Sequence, residues 1–182
     1  MSSNVLMAAV VIASLSGGTH AAPAYDSAAE ITKNSQAALS ALYGKVPKAK
    51  ELGDKAAAIL VFPKVTKAGL GIGGQHGQGA LLKDGKAVAY YDTTGGSIGL
   101  QAGVQTYGYA MFFMNQKAVQ QLDSAKGFEV GVGPSVVVVD EGAAKNITTT
   151  TMKDDIYAFV FGQKGLMAGI GIQGSKITRI EK

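Results

Sequence analysis

Glycine at alternate positions within apolar segments is the feature that most restricts the fold of this chain. The segments AGLGIGG, residues 68–74, and AGIGIQG, residues 168–174, both contain the spacing G-x-G-x-x-G. This spacing cradles the pyrophosphate of a dinucleotide when the glycines form a turn between a strand and a helix N-terminus. Neither segment is followed by a helical pattern. The sequence instead predicts strands whose alternate glycines leave one face bare, so that the strand bends sharply or packs closely against other backbone.

The composition is that of one globular domain with crowded β structure. The chain has 182 residues, of which 47% are hydrophobic and 16% are charged, so it is long and apolar enough to bury a core. Its 25 glycines are about twice the usual share. The chain contains no cysteine, which excludes disulfides, thiolate nucleophiles and cysteine-based metal sites.

The first 25 residues differ from the rest and predict an export signal. They contain no charged side chain, and residues 5–15, VLMAAVVIASL, form an apolar run that is too short to span a bilayer. The segment LSGG resembles the end of a bacterial lipoprotein signal, with Gly18 in place of the lipid-bearing cysteine. We expect residues 1–25 to be an export-signal-like or disordered segment, with a buried apolar strand as the alternative. Residues 26–182 then form a single domain of the bacterial cell envelope, in the periplasm or at the outer membrane, or of a secreted protein.

Capping and turn residues predict the secondary structure. Ser27 and Glu30 form a capping-box pattern, which predicts a helix over residues 27–43. Pro47 begins a second short helix that ends at Gly53. Period-two patterns predict strands elsewhere, joined by an Asp-Gly turn at residues 84–85 and interrupted by a short helix within residues 115–127.

These elements predict an α+β fold. We expect a strongly twisted, mostly antiparallel, glycine-rich sheet of about six to eight strands, curled towards a barrel-like shape. An N-terminal helix and one short inserted helix complete it. Residues 69, 71 and 73, all glycine, are expected on one face of their strand, opposite Leu70 and Ile72.

No cluster of residues predicts catalysis. His76 is a potential general base, but no carboxylate stands within five positions of it, so we interpret it as a surface turn residue. The acidic pairs at 140–141 and 154–155 lack the alternating oxygen ligands and the glycine of a calcium loop. We expect no enzymatic activity, no cofactor and no metal site.

Positive charge is concentrated near the start of the domain. Between residues 45 and 67 the chain has six lysines against Glu51 and Asp54, an excess of +4 that equals the net charge of the whole chain. Each lysine beside an anionic membrane contributes about 1 kcal/mol, so the segment predicts weak, salt-sensitive binding to acidic surfaces. The alternative is that these lysines serve solubility alone. The lysines that we predict to contact lipid are Lys45, Lys48, Lys50, Lys64 and Lys67.

Longer segments resemble a known family. In order and spacing, KAGLGIGGQHGQGALL, GGSIGLQAGVQTYGYAMFFMN, VGVGPS and YAFVFGQKGLMAGIGIQGSKI resemble the SYLF domain, a lipid-binding module of bacteria, fungi and animals. The resemblance covers residues 49–180. Members with the eukaryotic pattern carry a tryptophan before the SIGLQ block, whereas this chain has KAVAYYDTTGG and no tryptophan. The resemblance therefore points to the bacterial, secreted branch.

The resemblance implies a function and its partners. Members bind phosphoinositides or other acidic phospholipids, some fungal members bind and bundle actin, and no catalytic activity or cofactor is implied. We expect a non-enzymatic envelope protein that binds anionic phospholipid or a membrane surface. Actin is not expected as a partner of an exported bacterial protein. Nucleic acid is not expected either, because Arg179 is the only arginine and tryptophan is absent.

Two alternatives stay open. The protein could be a structural or adhesive envelope protein that binds another protein or itself, or a small-molecule carrier with an apolar cavity inside the sheet. The family's amphipathic helix corresponds to residues 27–43 here. Its apolar face, Ile31, Leu39 and Leu42, either inserts into a membrane interface or packs on the sheet of its own domain.

Overall fold

A computed structural model describes residues 26–124, 127–131, 136–139, 153–164, 172 and 174–182, with the backbone alone at residues 97–102. The export-signal-like segment therefore lies outside the described residues. So do most of the polar connection at 140–155 and most of the second glycine segment.

The helices begin at their predicted caps. Helix α1 spans Ala28–Lys45, and the Glu30 amide donates to the Ser27 hydroxyl while the Ser27 amide donates to the Glu30 carboxylate at 3.0 Å. Helix α2 spans Pro47–Gly53. Helix α3 spans Gln116–Gln120 and continues as a 3-10 turn over Gln121–Asp123, with the Asn115 side chain accepting from the Ala118 amide at 2.9 Å. All three helix predictions are confirmed.

The described strands form one six-stranded sheet. Their bounds are β1 Ala58–Lys83, β2 Lys86–Phe113, β3 Phe128–Glu129, β4 Val136–Val139, β5 Ile156–Lys164 and β6 Lys176–Ile180. The order is β3-β6-β2-β5-β4, and β1 pairs with β2 along its length. The β4 and β5 pair is parallel, whereas the other pairs are antiparallel. The predicted α+β fold with a curled, mostly antiparallel sheet is confirmed.

Strands β1 and β2 form a single long hairpin that is folded in half. The turn lies at Asp84 and Gly85, which both have positive φ, as predicted. Near the middle of β1 the pairing register shifts between Leu70 and Ile72, and Gly71 between them has φ of 75°. This β-bulge interrupts the regular strand pairing at the centre of the glycine segment, and Leu70 and Ile72 on either side of it are both exposed to solvent.

Glycines allow the two halves of β1 to meet. A Cβ atom added at Gly77 would lie 2.6 Å from the Lys64 carbonyl oxygen, and one added at Gly79 would overlap the Val61 carbonyl oxygen. Real Cβ atoms do not approach backbone so closely. Because these positions have no side chain, the two halves of β1 can lie in contact and the sheet can curl, as the glycine pattern predicted.

The curled sheet has a hydrophobic cluster on each side. The inner cluster includes Leu60, Phe62, Met111, Ile156 and Ile177. The outer cluster lies beneath α1 and α2, and it includes the helix residues Ile31, Leu39, Leu42, Ala49 and Leu52. The apolar face of α1 thus packs on the sheet of its own domain, which decides between the two alternatives for this helix.

The folded hairpin gives the molecule two distinct ends. At one end, which we term the turn end, Tyr43, Gly53, Ala58, Asp84 and Gly85 line one small cleft, and the Gln36 amide group donates to the Gly85 carbonyl at 2.7 Å. The opposite end, which we term the bend, is formed by residues 68–74 of β1 paired with residues 95–104 of β2.

Candidate membrane-binding surface

The five predicted lysines fall into separate groups. Lys45 is the last residue of α1, and Lys48 and Lys50 lie in α2, so all three stand at the turn end. Lys48 forms an ion pair with Glu51 at 2.7 Å, and Lys50 forms one with Asp54 at 2.9 Å. Two of these three charges are therefore compensated locally, and the expected single lysine patch does not extend from here to the bend.

The other two lysines belong to β1 and differ in environment. Lys64 is exposed and lines an open cleft, whereas Lys67 is only 8% exposed. Lys67 shares a strand face with Val65 of the inner cluster, so its side chain is directed into the interior of the curled sheet. Lipid contact by any of the five lysines remains a prediction.

The cleft beside Lys64 lies between α1 and β1 and has both polar and apolar lining residues. It has a volume of about 700 Å³ and is lined by Asp26, Asn34, Ala37, Ala38, Pro63, Lys64, Thr66, His76, Gly77 and Gln78. His76 Nε2 lies 3.8 Å from Asp92 Oδ1, and the Gln78 amide group donates to the same oxygen at 3.0 Å. His76 is exposed, as predicted, but it lies in β1 rather than in a turn.

Large apolar side chains project into solvent at the bend. Leu70 is 84% exposed, Ile72 is 75% exposed and Val104 is 63% exposed. We term these three residues the apolar bend. They lie close together because Ala68 pairs with Val104 and Leu70 with Ala102 across the two strands. Leu70 and Ile72 are separated by one residue, so they lie on the same side of the strand, and both are exposed to solvent.

Sequence analysis missed the apolar bend and one nearby cation. The period-two pattern places Leu70 and Ile72 on one face of a strand but does not indicate what covers that face. The available signal was that AGLGIGG alternates glycine with large apolar residues and offers no polar residue for either face. Lys164 is exposed and pairs with Thr106 close to the bend; it lies outside the lysine-rich segment, so the charge pattern did not indicate it.

The interior near the bend is polar. The Tyr107 hydroxyl donates to Gln75 Oε1 at 2.8 Å, and Gln75 Nε2 donates to the Ser175 hydroxyl at 2.6 Å. These contacts connect the second half of β2 to the second half of β1 and to the start of β6. Burial raises the pKa of Tyr107 to about 12, so this hydroxyl keeps its proton for donation at neutral pH.

The described residues contain neither a helix that could span a membrane nor a cluster of metal ligands. No described helix is both long and apolar enough to cross a bilayer. Within the same part of the chain, no group of three or more His, Asp or Glu residues is placed to hold a metal ion.

Comparison with known families gives a match for the C-terminal part of the chain. Residues 94–182 match the family model Ysc84, described as Las17-binding protein actin regulator. This is the SYLF family. Residues 94–182 match the SYLF domain. The matched residues run from Thr94, in the first third of β2, to the C-terminus and include Val104, Tyr107 and Lys164, whereas α1 and β1 precede them. A search of curated proteins found no match.

The SYLF family is associated with lipid binding and with actin regulation, and it is not a known enzyme class. The resemblance that was expected from the sequence is confirmed for residues 94–182.

Proposed function

We propose that this SYLF domain is a non-enzymatic module that associates with membranes containing acidic phospholipid, and that the apolar bend is its contact. The observation that carries the proposal is the exposure of Leu70, Ile72 and Val104 side by side at one end of the molecule. Contiguous exposed apolar side chains mark interaction surfaces. The lipid association of the family supports a membrane as the partner.

The apolar bend provides part of the binding free energy. Burial of one Leu, Ile or Val side chain contributes about 1.5–3 kcal/mol. The free energy gained by burying three such side chains does not exceed the full free-energy cost of association by a wide margin. Additional attraction is therefore needed, and lysines near an acidic headgroup layer supply about 1 kcal/mol each.

Lysines on the bend side are closer to the apolar bend than the lysines at the turn end. Lys64 is six positions before Leu70 in β1, and Lys164 pairs with Thr106, two positions after Val104. The turn end is much farther away, since the 12 positions from Ala58 to Leu70 span about 40 Å in an extended strand. That distance is several times the screening length of about 8 Å at physiological salt.

Cosedimentation with vesicles tests the function. The protein should pellet with phosphatidylcholine vesicles that contain phosphatidylglycerol and much less with phosphatidylcholine alone. Raising the salt concentration should reduce the bound fraction without removing it, because salt screens charge but does not weaken apolar burial. Equal binding to both vesicles, or none to either, would favour a structural or adhesive protein whose partner is another protein or itself.

We also propose that the domain functions in the bacterial cell envelope or outside the cell. The apolar run at residues 5–15, with small residues after it, supports this location. N-terminal sequencing of the protein from a native envelope fraction tests it, since an exported protein should begin after residue 15 and a cytoplasmic one should retain the run.

A protein partner is the second candidate function. The family description names binding to Las17 and regulation of actin, so a protein-binding role has direct support from the matched residues. We expect no pelleting of this chain with filamentous actin, because the export signal would separate it from actin. Pelleting in proportion to the filament concentration would replace the membrane proposal with this second function.

A further inference from the structure

The cleft beside Lys64 is formed by both halves of β1 together with α1. Its lining includes Lys64 and Thr66 from before the bend and His76 and Gln78 from after it. A Cβ atom added at Gly77 would lie 2.6 Å from the Lys64 carbonyl oxygen, so the missing side chain allows these two segments to lie side by side. The cleft therefore exists because the hairpin is folded in half.

Hydrogen-bonding side chains of β1 and α1 face this cleft. Val65 is buried in the inner cluster, so its exposed neighbours Lys64 and Thr66 are directed to the outer side of the strand. Asn34 of α1 lines the same cleft. In the part of the chain that the structure describes, the side chains of Asn34, Lys64 and Thr66 make no hydrogen bond or ion pair. Three side chains that can donate hydrogen bonds thus line one cleft.

The charges around the cleft favour an anion beside Lys64. Asp92 Oδ1 lies 3.8 Å from His76 Nε2. Asp26 is at the other side of the cleft, and the Lys182 ammonium group donates to the Asp26 carbonyl oxygen at 2.8 Å. Each carboxylate therefore has a basic side chain close to it. Lys64 has no carboxylate of the described residues within 4.0 Å, so its charge is open to an anion from outside the chain.

The position of the cleft relative to the apolar bend indicates where such an anion comes from. Thr66 is four positions before Leu70, and His76 is four positions after Ile72. Four positions of an extended strand span about 13 Å, which is an upper limit on the height of the cleft above the bend. The headgroup layer on each side of a bilayer is about 5–8 Å thick. When the bend contacts the hydrocarbon region, the cleft therefore opens at or just above the headgroups.

We propose that this cleft binds the phosphate of a phospholipid headgroup, with Lys64 and protonated His76 as cations and with Asn34 and Thr66 as hydrogen-bond donors. The inference rests on the proposed function, because membrane contact through the apolar bend brings headgroups to the cleft. It adds to that function a defined site and a dependence on pH. Histidine gains its charge between about pH 8 and pH 5, so acidification adds a second cation to the site.

The pH dependence of vesicle binding tests the role of His76. The wild-type protein should bind phosphatidylglycerol vesicles about fivefold more tightly at about pH 5.5 than at about pH 7.5, as expected for one added charge near the membrane. His76→Gln should lose this dependence, because glutamine does not titrate. His20→Gln removes the other histidine of the chain and should keep the dependence. The same pH dependence in wild type and His76→Gln would overturn the proposal, and so would its absence from the wild type.

Uncharged variants separate the site from general electrostatic attraction. Asn34→Ala and Thr66→Val together remove two donors without changing the net charge, and the double variant should bind phosphatidylglycerol vesicles about tenfold more weakly. Both residues are exposed, so the stability of the fold should change little, which urea unfolding checks. Ser40→Ala is the control, because Ser40 is exposed in α1 but does not line the cleft. Equal vesicle binding by wild type and the double variant would contradict the site.

The headgroup without its acyl chains tests the site in the absence of a membrane. Glycerophosphoglycerol, the soluble headgroup of phosphatidylglycerol, should change the NMR chemical shifts of the His76 ring in a saturable manner, whereas glycerol should not. Comparison with His76→Gln assigns the signal. If the shifts change but the protein binds no vesicles, the cleft is a site for a soluble phosphoester and the proposed function fails. If vesicles bind but the shifts do not change and the double variant binds as the wild type does, the proposed function stands and this site is wrong.

Discussion

At the scale of single residues, the sequence indicates what the glycines and lysines can do, but it does not indicate which other residues surround them in the fold. The alternation of glycine indicated close backbone approach, and Gly77 and Gly79 do lie against the first half of β1. The lysine-rich segment indicated a single charged surface. Its members were separated because a bent strand and two helices direct neighbouring residues to different parts of the molecule.

Replacement of Gly79 by alanine should destabilise the fold. The added methyl group would overlap the Val61 carbonyl oxygen and the Phe62 ring, and both are held by the β1 and β2 pairing. Overpacking of this kind costs about 1–3 kcal/mol. Urea unfolding of Gly79→Ala measures the change. Gly96→Ala is the matched control, because a Cβ there meets nothing within 4 Å, and equal stability losses in both variants would contradict the close approach.

Neutralisation of Lys64 should weaken binding to anionic vesicles more than neutralisation of Lys48. Lys64 is exposed on the bend side, whereas Lys48 is paired with Glu51 at the turn end. Loss of about 1 kcal/mol corresponds to a roughly fivefold weaker association for Lys64→Gln, against little change for Lys48→Gln. Vesicle titration at low salt measures both. A larger loss for Lys48→Gln would place the contact at the turn end instead.

At the scale of secondary-structure elements, local signals were sufficient for helices and turns. Ser27 and Glu30 set the start of α1, and Asp84 with Gly85 set the hairpin turn. What local signals did not give was the length of β1, which continues from Ala58 through Pro63 and the glycine segment to Lys83. Bulges and bends are accommodated within one strand pairing, so Gly71 and Pro63 interrupt the pattern without ending the element.

The bend in this long strand yields the main prediction about binding. Replacement of both Leu70 and Ile72 by serine should weaken vesicle binding at least about tenfold, because burial of each side chain contributes about 1.5–3 kcal/mol. Both side chains are exposed, so the free energy of unfolding should change by less than about 0.5 kcal/mol each. Vesicle cosedimentation and urea unfolding measure the two effects.

The matched control is Val88→Ser at the turn end. Val88 is also an exposed apolar residue, but it lies close to the turn at Asp84 and Gly85. Its replacement should leave vesicle binding unchanged. If Val88→Ser reduces binding as much as the double variant, general surface hydrophobicity rather than the apolar bend is responsible.

At the scale of the whole molecule, the two ends of the folded hairpin have different roles. The turn end is covered by α1 and α2, whose apolar residues are buried in the outer cluster. Among the described residues, no helix covers the exposed side chains of Leu70, Ile72 and Val104 at the bend. The sequence predicted the α+β class and the SYLF resemblance. It did not predict that the two ends differ, because this difference arises only when the hairpin folds back and brings residues that are far apart in the chain to one end.

The absence of cysteine from the chain permits the most direct test of the bend as the membrane contact. An environment-sensitive fluorophore attached to Ile72→Cys should shift to the blue on addition of phosphatidylglycerol vesicles, while the same label on Val88→Cys should keep its aqueous spectrum. A blue shift at position 88 with none at position 72 would contradict the account.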